Sequence, residues 1–173
     1  MFFLLGILVD LKKIISPKKR LILQTVILII LVYYSQLEII NTRVEFFDTI
    51  IKSKIINFCF VIFCLLILIN GSNFIDGLNG LLVGYYLVIT LALLKINFFN
   101  FYQFDTELNL ILILTLITIY LFNISNKLFL GDNGVYIISL SFGYMIINFH
   151  QNFPQISPYF FIMLLWYPCF ENL

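Results

Sequence analysis

The chain is a succession of apolar runs, each near the length of a membrane-crossing helix and each closed by a short polar interruption. After an apolar start, MFFLLGILV, the runs fall at 20–37, 55–70, 80–95, 108–122, 134–150 and 157–171. A bilayer's hydrocarbon core is about 30 Å thick, so a helical crossing needs roughly 20 mostly apolar residues. With 62% of residues hydrophobic and 11% charged, the chain has too little polar surface for a water-soluble exterior. Lipid offers backbone N–H and C=O groups no partner, so the runs must satisfy them internally as helices. Short alternating strands of the membrane-barrel kind are absent. Many residues are β-branched or aromatic, but that weak preference yields to the hydrogen-bonding demand. The expected fold is an all-α, polytopic bundle of about six spans, one membrane domain over residues 1–173.

Five of the ten basic residues, Lys12, Lys13, Lys18, Lys19 and Arg20, cluster in LKKIISPKKR. The positive-inside rule places this loop in the cytoplasm. Alternation through the spans then puts 38–54, 96–107 and 151–156 outside, and 70–80 and 123–133 inside. Glu38, Glu45, Asp48, Asp105 and Glu107 fall in exterior loops as ordinary solvated charges. The N-terminus lacks the basic region and small-residue site of a signal peptide; it reads as the tail of a helix. Cys59, Cys64 and Cys169 lack metal-type spacing and read as apolar filler. His150, at the end of a span, reads as an interfacial residue.

The interruption NGSNFIDGLNG, residues 70–80, needs a reason, because polar groups at membrane depth are costly and mark function. Asp10, Asp76 and Asp132 all arrive beside helix ends on the cytoplasmic face. Mg²⁺ takes oxygen ligands, often one or two carboxylates completed by phosphate and water, and neutralises charge in phosphoryl transfer. Asp76, Asp132 and the amide oxygens of Asn70 or Asn73 are ligands of that kind. Polar residues at 70, 73, 76 and 79 recur every third place and would share one side of a helix. Gly77, Gly80, Gly131 and Gly134 bracket the acids and permit tight turns. A helix starting just after Asp76 or Asp132 would turn its amide end toward a phosphate. The plainer alternative is that Gly and Asn merely end helices at loops.

These residues carry a resemblance. NGSNFIDGLNGLL resembles the N-x-x-N-x-x-D-G-x-D-G-L signature of the polyprenyl-phosphate N-acetylhexosamine-1-phosphate transferases, and FNISNKLFLGDNGVYIISLSFGY resembles their F-x-G-D-x-G segment. GILVDLKKIISPKKRLILQ is similar to their G-x-x-D-D-L loop followed by S-P-x-x-R-L-x-x-Q, and SPYFFIMLLWYPCFENL to a late helix ending in Y-P-x-x-E. The resemblance is closest to the bacterial undecaprenyl-phosphate N-acetylglucosaminyl 1-phosphate transferases of surface polysaccharide synthesis. It implies an enzyme of the bacterial inner membrane, its active face cytoplasmic. A lipid phosphate would attack the β-phosphorus of a UDP-sugar, giving polyprenyl-diphosphate-sugar and UMP.

Position by position, the resemblance implies Asp10, Asp76 and Asp132 as catalytic residues. Asn70, Asn73, Asn79 and Phe129 would bind substrate, Phe129 against the uracil. Asp132 and Asn73 would hold Mg²⁺. UDP-N-acetylhexosamine, polyprenyl phosphate and membrane lipid are the implied partners; no nucleic acid is expected, and a homodimer is left open. Two departures stand out. Val9 occupies the place of the family's first Asp, and Asn79 that of the second Asp in D-G-x-D-G, where an amide still offers an oxygen. Family members are also longer, with ten or eleven helices and a His-rich loop. The chain therefore reads as the middle part of a longer fold, expected to be incomplete for catalysis. The alternative is a non-catalytic membrane protein of the same fold.

Overall fold

A computed structural model describes residues 1–100 and 106–170. The described residues form nine helices and no strand, as the all-α expectation requires. They are α1 (Phe2–Asp10), α2 (Pro17–Ser35), α3 (Glu45–Ile51), α4 (Lys54–Ile75), α5 (Leu81–Asn100), α6 (Thr106–Ile124), α7 (Gly131–Asn152), α8 (Pro158–Leu164) and α9 (Trp166–Phe170). The first five expected segments each fall on one helix, α2, α4, α5, α6 and α7. Asp105 and Glu171 lie outside the described residues, as does the side chain of Glu107.

Three local differences have physical causes. The apolar start is itself a helix, α1, and the expected 38–54 loop contains α3, a helix of 7 residues too short to show a periodic pattern. The segment 157–171 is not one helix but two, of 7 and 5 residues, broken at Leu165. Pro168 explains the break: it has no N–H to give the carbonyl four residues back, and its ring crowds that carbonyl. Lastly, α4 ends at Ile75, so Asn70 and Asn73 lie on the helix while Asp76 and Asn79 lie in the turn that follows. Residues 70, 73, 76 and 79 therefore do not share one helical side.

Among the described residues one helix is both long and apolar enough to cross a bilayer: α4, with 22 residues and a mean hydropathy of 2.4. At 1.5 Å per residue it spans about 33 Å. Leu81–Lys95 and Leu110–Ile124 are shorter apolar stretches. Helix α2 carries its cations at its start, where Pro17 occupies the first turn behind an extended Ser16, a position at which proline's missing donor costs nothing.

The chain divides into two compact units, Met1–Phe74 with Gly131–Leu173, and Ile75–Leu130. In the first, α1 packs along α7 and against α2. Phe2, Leu5, Leu28, Val32, Leu65, Ile69 and Tyr136 are buried in one cluster, with the Phe2 and Tyr136 rings edge to face at 6.4 Å. The α1–α7 approach is close enough that a Cβ on Gly6 would meet the Asn133 Cα at 2.3 Å. Small residues permit such approaches where lipid gives helices no hydrophobic reason to associate. Within this unit α4, α7, α8 and α9 also wall an apolar cavity of about 370 Å³. In the second unit α5 packs on α6, with Gly84 against the Tyr120 ring.

Candidate active site

The site grows from the end of α1. Lys12 takes a left-handed conformation, φ 56°, and the amides of Leu11, Lys12, Lys13 and Ile14 bond back to carbonyls of α1. This reverses the chain into SPKKR and the start of α2. Arg20 secures the reversal by donating from Nε to the Ile14 carbonyl at 3.1 Å.

Asp10, the last residue of α1, reaches the first turn of α7. Its two oxygens accept the backbone amides of Asp132, at 2.9 Å, and Asn133, at 3.3 Å. The first amides of any helix lack intrahelical partners, so this carboxylate caps α7 from another helix. Its negative charge also suits the positive end of the helix dipole. Gly131 makes room: its φ is +62°, and a Cβ there would lie 2.9 Å from an Asp10 oxygen. The amide end expected to face a phosphate is thus already engaged by an anion of the chain itself.

Asp132, held one residue into α7, faces Arg20 with a separation of 3.7 Å between guanidinium and carboxylate. That is the long end of an ion pair, and both side chains keep solvent access. One turn further on, the Tyr136 hydroxyl interacts with both Asp132 and Arg20. The ends of α1, α2 and α7 thereby converge on two carboxylates and one guanidinium. Val9, standing at the family's first acidic position, is 3% exposed. A carboxylate there would be buried in this conformation, and burial of an unpaired charge is strongly unfavourable.

The other expected residues are placed as follows. Asn70, half-buried on α4, donates from Nδ2 to Gln24 Oε1 at 3.1 Å and to the Leu66 carbonyl at 2.8 Å. Both of its N–H groups are used between and along helices, which fixes the amide orientation. Asn73 lies in the last turn of α4, half-buried. In the second unit Asp76 lies in the turn before α5, and Asn79 donates to the side chain of Asn126. Gly80, φ +84°, gives its amide to the Asn123 side chain, whose own Nδ2 donates to the Leu128 carbonyl at 2.8 Å. Phe129 is 74% exposed. Of the bracketing glycines, only Gly80 and Gly131 have positive φ.

Arg20 and Gln24 stand at the R and Q of the S-P-x-x-R-L-x-x-Q match without a role assigned to them there, and Tyr136 and Asn123 are structural partners that motif reading passes over. Arg20 was visible as a topological charge and a motif position, Tyr136 as one of ten tyrosines. Asn123 did leave a signal: a buried amide two residues into FNISN, at the close of an apolar run.

Among the described residues no three His, Cys, Asp or Glu side chains form a metal-binding group. A magnesium site completed by substrate needs fewer: one or two carboxylates, with phosphate and water filling the other positions. Asp132 supplies a carboxylate, and Asn133 beside it carries a buried Oδ1 without a hydrogen-bond partner. This all-oxygen donor set fits the hard cation.

No curated protein and no solved structure matches the chain. A family model does, described as Glycosyl transferase family 4, over residues 1–150. That match spans α1 through nearly all of α7 and so includes every residue gathered above. The chain belongs to glycosyl transferase family 4, a family of integral membrane glycosyl-1-phosphate transferases that use Mg²⁺.

Proposed function

We propose that the protein transfers N-acetylhexosamine 1-phosphate from a UDP-sugar to undecaprenyl phosphate. The observation that carries this reading is the trans cap: Asp10 sets the first turn of α7 so that Asp132 stands opposite Arg20. In the transfer, an oxygen of the lipid phosphate forms a bond to the β-phosphorus. The bond from that phosphorus to the bridging oxygen breaks, and UMP leaves with the electron pair.

Asp132 and Asn73, with the Asn133 amide oxygen as a further ligand, would hold Mg²⁺, which when bound supplies neutralising charge to the diphosphate. Arg20 is only loosely paired with Asp132 and can turn its planar donors to phosphate oxygens, a geometry guanidinium suits. Asp10 keeps lone pairs beyond the two it commits to α7 amides. A phosphate monoester has its second pKa near about 6 and is mostly dianionic at neutral pH. The acceptor therefore needs little help from a base, and Asp10 acts chiefly by placing charge and orienting α7. Asp76 and Asn79, in the D-G-x-N-G turn, with Asn70, Asn73 and Phe129, are proposed for the sugar nucleotide on the strength of the shared motifs. Surface polysaccharide or cell-wall synthesis is the proposed setting.

The test is UMP release from membranes holding the protein, UDP-N-acetylglucosamine, undecaprenyl phosphate and Mg²⁺. In a chain completed to family length, release is expected to need the cation and to fall by most of its value in Asp132→Asn, while residues 1–173 alone are expected to release little. Equal turnover in that variant would make Asp132 an ordinary helix-end acid. A second reading, a binding protein of the same fold, is favoured by the buried Val9. It predicts UDP-sugar binding without any UMP release.

A further inference from the structure

The hairpin that joins α1 to α2 displays a charge pattern the transfer reaction does not use. Lys12, Lys13, Lys18 and Lys19 are all exposed. Among the described residues none of the four has an ion-pair partner; the ion pair of this region is Arg20–Asp132. Between the lysines, Leu11 is 61% and Ile15 74% exposed. The loop is shaped rather than slack: the left-handed turn at Lys12, the amide bonds back to Leu8 and the Arg20–Ile14 bond hold it. Four unneutralised ammonium groups around two bare apolar side chains match one kind of surface. Anionic head groups would meet the lysines, while acyl chains below them accept Leu11 and Ile15.

We propose that residues 11–19 form a binding surface for anionic phospholipid of the membrane, distinct from the acceptor lipid. The inference rests on the membrane reading of α2 but not on catalysis. Clustered Lys near a membrane surface bind anionic lipid additively, and each contributes modestly. The assembled loop should therefore retain such lipid while no single lysine is essential.

The experiment is intact-complex mass spectrometry of the purified full chain, titrated in detergent with phosphatidylglycerol or phosphatidylcholine. The expected result is several-fold higher retention of phosphatidylglycerol, unaffected by inorganic phosphate. Replacing Lys12, Lys13, Lys18 and Lys19 together by Gln should abolish the preference, and by Arg should preserve it. Ile15→Ser leaves every charge and the topology signal in place and should lower retention. Equal retention of the two lipids, or a preference that survives the fourfold Gln variant, would overturn the proposal. So would displacement of phosphatidylglycerol by equimolar undecaprenyl phosphate, which would assign the lysines to the acceptor. Equal retention of the two lipids by the unsubstituted chain, with UMP still released, would remove this inference alone.

Discussion

At Gly131 a positive φ of 62° coincides with a carboxylate oxygen 2.9 Å from where a Cβ would stand. Alanine there meets two obstacles at once, a left-handed backbone that L residues resist and a cap that must move aside. Gly131→Ala is expected to lower stability by about 1–3 kcal/mol and to reduce UMP release, read by thermal unfolding in detergent beside the transfer assay. Asp10→Asn keeps the shape but loses one acceptor and the charge. A cost of about 1 kcal/mol is expected, the ordinary range for losing a helix N-cap. If Asp10 only neutralised substrate, the same unfolding measurement would show no change. Much of this site is legible in the sequence, since Gly-flanked acids in an apolar chain announce themselves. What is not legible is who meets whom. Asp10 and the amide it caps are 122 residues apart, and nothing local in LVDLKK says that its acid serves a distant helix.

Among the elements, those with long uniform stretches are the ones sequence reveals. Helices α2, α4, α5, α6 and α7 are bounded by charged or Asn- and Gly-rich residues, so composition alone locates them. The α8–α9 break is hidden because both sides are equally apolar and only Pro168 marks it. Pro168→Ala is expected to join the two into one helix, seen as increased ellipticity at 222 nm. It is also expected to disturb α4, because the Pro168 carbonyl lies 1.7 Å from where a Cβ on Gly71 would sit. Helix α3 is held instead by polar contacts: Asp48 Oδ1 accepts the Thr42 amide at 2.6 Å and the Thr42 hydroxyl at 2.7 Å. The Thr42 amide, then its hydroxyl, keep the Asp48 carboxyl below its ordinary value. A lowered native pKa means the contribution is whole above the ordinary carboxylate range and is lost as pH falls through the lowered value. The protection of amides in residues 42–51, taken relative to the intrinsic exchange rate at each pH, should fall on acidification, and less so in Asp48→Ala, where the contact is already gone.

For the whole molecule, the six-span topology remains the proposal that organises the rest. Cysteine labelling should place positions near 12–19, 72–79 and 126–133 on the cytoplasmic side, and labelling of 72–79 from outside alone would undo it. Helices inserted one after another during synthesis meet the order in which the ribosome delivers them. Asp10 emerges early, but its partners, the first amides of α7, come more than a hundred residues later. Until then the α1 carboxylate has no helix end to cap, and the first turn of α7 gains its cap only from a residue made long before it. The cap therefore joins the first helix made to one of the last, and the packing of α1 is completed only when α7 has been delivered.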